Sequence, residues 1–242
     1  MNSASSKGPG ASLGAATATA LRPAVGPATA VLTLQNGVES VERLGRLLGA
    51  DRVLVGTTLV RARLVAPGVV EESSAAPRVT LGEVSGAVTP RVRAVAAALQ
   101  EAGVDATVTT DVRLALWEKF APLAAHASIT SACQLPVGPI RDTAEGAALY
   151  RTMLAESFAV GRAAGAALTL DFQDRFMAHL LSVPPDAETS MQWDYARQGR
   201  VELEQITGTV VRLGRAHGVP TPQFDALYAV LKARARAFGG LA

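Results

Sequence analysis

The sequence predicts two halves, an α/β layer followed by an all-helical half, with the boundary near residue 110. Three observations carry this. Between residues 28 and 110, short β-rich runs alternate with runs of helical period. From Asp111 onward the strand signal fades and long helical patterns take over. Stop signals stand where those patterns end: Gly218-Val-Pro220 closes one, and Pro184-Pro185 separates two others.

The elements follow in order. Ala30 to Leu34 reads as a strand, turned by Gln35-Asn-Gly37, and Val38 to Leu48 carries apolar residues at Val38, Val41, Leu44 and Leu48. Arg52 to Val60 is a second strand. Ala66-Pro-Gly68 turns into Val69-Val70, Arg78 to Gly82 is a further strand, Val88 to Glu101 a helix stopped by Gly103, and Asp105 to Thr110 a last strand. Links too short for a crossover predict hairpin pairing inside this layer. Helices are predicted over 111–132, 142–165, about 171–182, 187–197, 199–217 and 222–237. Residues 1–27, rich in Ala, Gly, Ser and Thr, are either a flexible, disordered leader or the tail of a domain whose beginning is missing.

Composition narrows the function. The 242 residues are 49% hydrophobic and 18% charged, enough apolar material for one large domain or two small ones and too little charge for a disordered chain. A single cysteine, Cys133, excludes a disulfide framework and a cysteine-ligated zinc site, and it reads as an inert buried thiol. His126, His179 and His217 have no metal-ligand spacing, so no metal site is predicted. A net charge of +2 with interleaved signs points to no nucleic acid partner. The uncharged stretch from Phe120 to Ile140 is interrupted by Pro122, Pro136 and Gly138, so no membrane span is expected. Without a basic, then apolar, start the chain is expected to be cytoplasmic.

Four positions invite chemistry. Asn36 sits at the end of a strand, where open α/β sheets place ligands, though Asn-Gly is also ordinary turn chemistry. Lys119 is one of only three lysines and opens the uncharged stretch, with Pro122 expected to kink its helix. In apolar surroundings its pKa falls and it can deliver a proton near neutral pH; a snorkelling lysine is the plain alternative. On a predicted helix over 199–217, Glu202 falls at the rim of the Leu203, Ile206, Val210, Leu213 face, and Glu204 points away. Ser190 follows Thr189, which with Gln192 forms a capping box.

Together these stretches resemble the ketopantoate reductase (2-dehydropantoate 2-reductase) family. The matching segments are Leu32-Thr-Leu-Gln-Asn-Gly-Val-Glu39, Asp51-Arg-Val-Leu-Val-Gly-Thr-Thr58, Leu64-Val-Ala-Pro-Gly-Val69, Leu116-Trp-Glu-Lys119, Thr189-Ser-Met191 with Asp194, Val201-Glu-Leu-Glu-Gln-Ile-Thr-Gly208, and Val211-Arg-Leu-Gly-Arg-Ala-His-Gly-Val-Pro220. The resemblance implies an incomplete Rossmann-like NADP-binding domain over 1–110 and a helical C-terminal domain over 111–242, of the 6-phosphogluconate dehydrogenase C-terminal type. It implies NADPH-dependent reduction of a 2-oxo acid to a 2-hydroxy acid, 2-dehydropantoate to pantoate in pantothenate biosynthesis or a related, more apolar substrate. Lys119 falls on the catalytic lysine, which also touches substrate. Asn36 falls on the asparagine beside nicotinamide and substrate, Ala62 on a backbone contact to the cofactor, Ser190 on the substrate-binding hydroxyl, and Glu202 on a cofactor-binding carboxylate.

Two departures stand out. The glycine fingerprint is absent: Gly8-Pro-Gly10 is followed by Leu13, no strand precedes it, and about 70 residues implied by the resemblance are missing, with Lys7 about three residues too far from Asn36 for the family's phosphate-side lysine. Family asparagines are also replaced, by Leu123, Ala127, Val137 and Ala187. The alternative reading is therefore a truncated, inactive remnant acting as a folding or dimerisation module. An exposed strand edge would make the chain aggregate or form a homodimer.

Overall fold

The computed structural model describes residues 15–60, 62–72 and 77–241. The chain forms two compact units. One comprises Met1–Gln35 and Ser40–Val112; the other comprises Asn36–Glu39 and Arg113–Ala242.

The first unit is built on a four-stranded sheet in the order β1-β2-β5-β6. β1 (Val31–Thr33) runs parallel to β2 (Val53–Leu59), with Val31 opposite Val53. β2 is antiparallel to β5 (Arg78–Glu83), and β5 is parallel to β6 (Asp105–Val108). The two parallel pairs are joined through helices, α2 (Ser40–Leu48) and α3 (Pro90–Glu101). The link between β2 and β5 holds a separate hairpin, β3 (Ala62–Ala66) with β4 (Val69–Glu72).

The hydrophobic pattern explains the layering. Successive residues of a strand point to opposite faces. Accordingly Val53 packs with Leu44 and Leu48 of α2 and with Ala18, whereas Leu54 packs with Val79, Leu81, Val92, Ala96 and Ala106. β2 is thus covered on both sides, which is why Val53-Leu-Val55 reads as an unbroken apolar run. Ala18 belongs to α1 (Ala15–Leu21), so within the N-terminal 27 residues this stretch is a helix whose Ala18 packs with α2 and β2. Its apolar burial against α2 outweighs the low-complexity composition. Lys7, Gly8, Gly10 and Leu13 lie outside the described residues.

The second unit is helical: α4 (Val112–Cys133), α5 (Val137–Arg141), α6 (Ala144–Ala163), α7 (Phe172–Ser182), α8 (Ser190–Ala196), α9 (Thr207–His217) and α10 (Pro222–Ala237). Its core gathers Phe120, Ala124, Ile129, Tyr150, Leu154, Met191, Leu203, Val210, Phe224 and Leu231. α4 is buried on nearly every side from Phe120 to Ser131, as a helix without a polar face must be. Glu156, on α6, accepts the N–H groups of Gln223 and Phe224 at 3.0 and 3.1 Å, satisfying two donors that the start of α10 leaves open. Gly218 ends α9 in the left-handed conformation that the sequence called for. Among the described residues no helix is long and apolar enough to cross a membrane.

Two expectations need correction, and one helix has no counterpart in the sequence reading. The predicted helix over 199–217 begins only at Thr207. The Val201 N–H is drawn to the Gly240 carbonyl at 2.9 Å, and Ile206, at φ −104° and ψ −86°, breaks the helical path. Val201, Leu203 and Ile206 are all buried from a turn, so helical spacing was met without a helix. Cys133 is exposed, because α4 ends there and leaves the core. The five-residue α5, hidden by Pro136 and Gly138, was not anticipated.

Candidate active site

Asn36 follows β1 by three residues, in a loop whose last four residues, Asn36–Glu39, belong to the helical unit. Gly37 is buried there at φ +103°, and a Cβ on it would stand 3.3 Å from the Gln205 carbonyl oxygen. The left-handed backbone calls for glycine, and the close approach leaves a Cβ little room. Two residues on, Glu39 accepts hydrogen bonds from Thr209 at 3.1 Å and from Arg212 at 2.6 Å, both on α9.

Lys119 projects from α4, one turn before Pro122 and flanked by buried Trp117 and Phe120, whose rings meet edge to face. Its Nζ donates to Asn36 Oδ1 at 3.0 Å. The Asn36 Nδ2 donates in turn to Glu202 Oε2 at 3.5 Å. The amide is oriented as its neighbours demand, oxygen toward the ammonium and nitrogen toward the carboxylate. Burial pulls the Lys119 ammonium below the usual lysine range, and the Glu202 charge offsets part of that. Burial likewise pushes the Glu202 carboxyl up, aided by the nearby Asp194; the Asn36 hydrogen bond and the Lys119 charge pull it back.

Asp194 carries no role in the sequence reading beyond its place beside Thr189-Ser-Met191. Burial pushes its carboxyl up to about 6, against the pull of Arg197. The missed signal was its spacing from Ser190, since positions four apart share one helix face. Ser190 is the exposed first residue of α8, behind an N-cap in which Thr189 Oγ1 accepts the Gln192 N–H at 3.2 Å. Thr189 Oγ1 also lies 3.0 Å from Thr130 Oγ1, tying the start of α8 to α4.

The structure therefore brings Asn36, Lys119 and Glu202 together, within one unit and from three distant segments. Glu202 reaches them from the turn before α9 rather than from the rim of a helix. Ala62, the remaining candidate, is an exposed residue opening β3 in the other unit, opposite Glu72. An ammonium of lowered pKa, held by an amide, can stabilise a developing oxyanion and give it a proton.

Two of the aliphatic positions singled out in the sequence share the α4 helix with Lys119. Leu123 and Ala127 follow it at successive fourth positions of α4 and pack into the helical core. Val137 donates its N–H to the Ala187 carbonyl at 3.0 Å, so the other two replaced positions adjoin each other, Val137 within the core and Ala187 packed against it.

Comparison with known proteins agrees with this arrangement. The family described as "Ketopantoate reductase PanE/ApbA C terminal" matches residues 111–235, and "Ketopantoate reductase PanE/ApbA" matches 11–86. A 2-dehydropantoate 2-reductase of Halobacterium salinarum is 32% identical over 192 residues, 79% of this chain and 63% of that protein. A 2-dehydropantoate 2-reductase of Caulobacter vibrioides is 32% identical over 222 residues, 91% of this chain and 73% of that protein. The crystal structure of a PanE/ApbA family ketopantoate reductase from Ralstonia eutropha superposes with a TM-score of 0.84 at 29% identity, covering 93% of this chain and 72% of that one. The chain thus spans roughly two thirds to three quarters of the length of these relatives. A family match over more than half of the chain, in step with the Lys119 and Glu202 segments, places it in the ketopantoate reductase family.

Proposed function

We propose that this chain serves the NADPH-dependent reduction of a 2-oxo acid to a 2-hydroxy acid, with Lys119 as the proton donor. The observation that carries the reading is the relay Lys119–Asn36–Glu202. The proton sits on Lys119 Nζ, whose burial weakens its hold, and passes to the carbonyl oxygen as negative charge gathers there. Asn36 Oδ1 fixes the direction of that ammonium, and Glu202 fixes the amide. Ser190, the exposed first residue of α8, is the hydroxyl we assign to a substrate carboxylate or hydroxyl.

NADPH would supply the hydride; Asn36, the Ala62 backbone and Glu202 are the residues assigned to hold it, with the 1–110 domain as its main platform. Two features favour a fit. The carboxyl end of β1 leads directly to Asn36, as ligand sites of open α/β sheets require. Among the described residues Thr57 Oγ1, toward the carboxyl end of β2, is buried with no hydrogen-bond partner, a polar group that a bound ligand would satisfy.

For the substrate, relatives are named for 2-dehydropantoate. The aliphatic positions Leu123, Ala127, Val137 and Ala187 favour a more apolar 2-oxo acid over one whose hydroxyl needs amide partners. We also assign a second copy of the chain to the edge beside the three-residue β1, which would make a homodimer.

The test is a fluorescence titration of NADPH into the 242-residue chain, followed by addition of 2-dehydropantoate. Saturable binding and substrate-dependent NADPH loss, absent in Lys119→Ala, support the proposal. An absence of binding overturns it for this chain.

A further inference from the structure

Arg212 stands one position into a motif that the proposed function does not use. On α9 its two terminal nitrogens face different carboxylates. One meets Glu39 Oε2 at 2.6 Å, and the other meets Glu204 Oε2 at 3.4 Å. The first also touches Thr209 Oγ1 at 3.1 Å, and that hydroxyl itself lies 3.1 Å from Glu39. Glu204 is anchored on its far side by Tyr228 at 2.8 Å and Lys232 at 2.9 Å, both on α10. Glu39 is three residues beyond Asn36, and Glu204 is two beyond Glu202.

One guanidinium therefore grips both segments that carry the relay, close to where they meet. A planar fork with several fixed donors suits this, and a single ammonium does not. The Asn36–Glu202 contact, at 3.5 Å, is the longer of the relay's two hydrogen bonds and the more sensitive to a small shift of either segment. We infer that Arg212 is a positioning residue: by holding Glu39 and Glu204 together it sets the approach of the Asn36 loop to the Glu202 turn. The side chains of Arg212, Glu39 and Glu204 are 44%, 31% and 32% exposed, so these ion pairs contribute little to global stability. Their effect is on geometry.

The inference rests on the proposed function only in treating the relay as a reaction site, and its test does not need turnover. The chain has three lysines, Lys7, Lys119 and Lys232, so reductive 13C-methylation yields three methyl-lysine NMR signals to follow with pH. Arg212→Gln should let water into the relay. Since burial is the main cause that lowers Lys119, its titration midpoint should move upward. Arg212→Lys, which can hold one carboxylate at a time, should give a smaller shift in the same direction. An unchanged or lowered Lys119 midpoint in Arg212→Gln overturns the inference. If that variant does not fold, Glu39→Gln releases only the Asn36 side, and the same two outcomes decide. A moved midpoint in a parent chain that reduces no 2-oxo acid would remove the proposed function and leave the positioning role. Reduction with an unmoved midpoint would do the reverse.

Discussion

Lys119 Nζ and Asn36 Oδ1 lie 3.0 Å apart although 83 residues separate them in the chain. Their contact puts a half-buried ammonium against the loop that follows β1. Burying a charge without a formal counter-charge in direct contact is unfavourable, and under the proposed function that cost is tolerated for chemistry.

Lys119→Met keeps most of the aliphatic stem and removes the charge. Activity should fall by about 10²- to 10⁴-fold in kcat, the usual contribution of a positioned proton donor. Melting temperature should not drop. Steady-state kinetics and a thermal scan on the same preparation check both; a variant with parental kcat would sink the assignment.

Asp194 titrates at about 6 in the folded chain and near 3.8 when exposed. Between these values the folded state holds the proton and the unfolded state does not, so this group's contribution to stability is lost as pH rises from about 4 to 6. Asp194→Asn should therefore stabilise the chain above pH 6, by about 1–2 kcal/mol after allowance for its partial solvent screening, and have little effect near pH 4. Denaturant unfolding at the two pH values measures the difference.

His126 has the opposite sign. Burial beside Tyr150, whose hydroxyl is 3.0 Å from Nδ1, holds its pKa at about 4 against an ordinary 6.5. The unfolded chain then binds more protons between those values, and stability falls as pH is lowered from 6.5 to 4, by about 2 kcal/mol. His126→Gln should flatten that acid limb. An unaltered slope in urea titrations would show that the ring is not the group responsible.

Leu123 lies one turn from Lys119 on the same face of α4. Leu123→Asn should raise kcat/KM for 2-dehydropantoate relative to an aliphatic 2-oxo acid such as 2-oxoisovalerate, by about 10-fold or more if the amide finds the substrate hydroxyl. Competition between the two substrates reads the ratio directly. No change would place Leu123 away from the bound substrate.

Local patterns were legible where local physics decides. The alternation of strands and helices in the first half, the positions of α4, α6 and α10, and the Gly218 stop follow from apolar period, proline and glycine. Lys119 could be singled out because a rare lysine opens a long uncharged stretch. The sequence by itself thus determined the order of most elements and singled out Lys119 as a candidate for proton transfer.

The tertiary structure alone decided what those residues meet. Spacing put Glu202 on a helix, but the pull of Gly240 on Val201 makes a turn of that segment. Asn36 and Glu202 are 166 residues apart, and no local signal records that packing joins them. The same holds for Asp194 beside Glu202 and for Arg212 between Glu39 and Glu204. Periodicity reports only which face a side chain presents, whereas the partner of a buried polar group depends on which distant segments the core draws together.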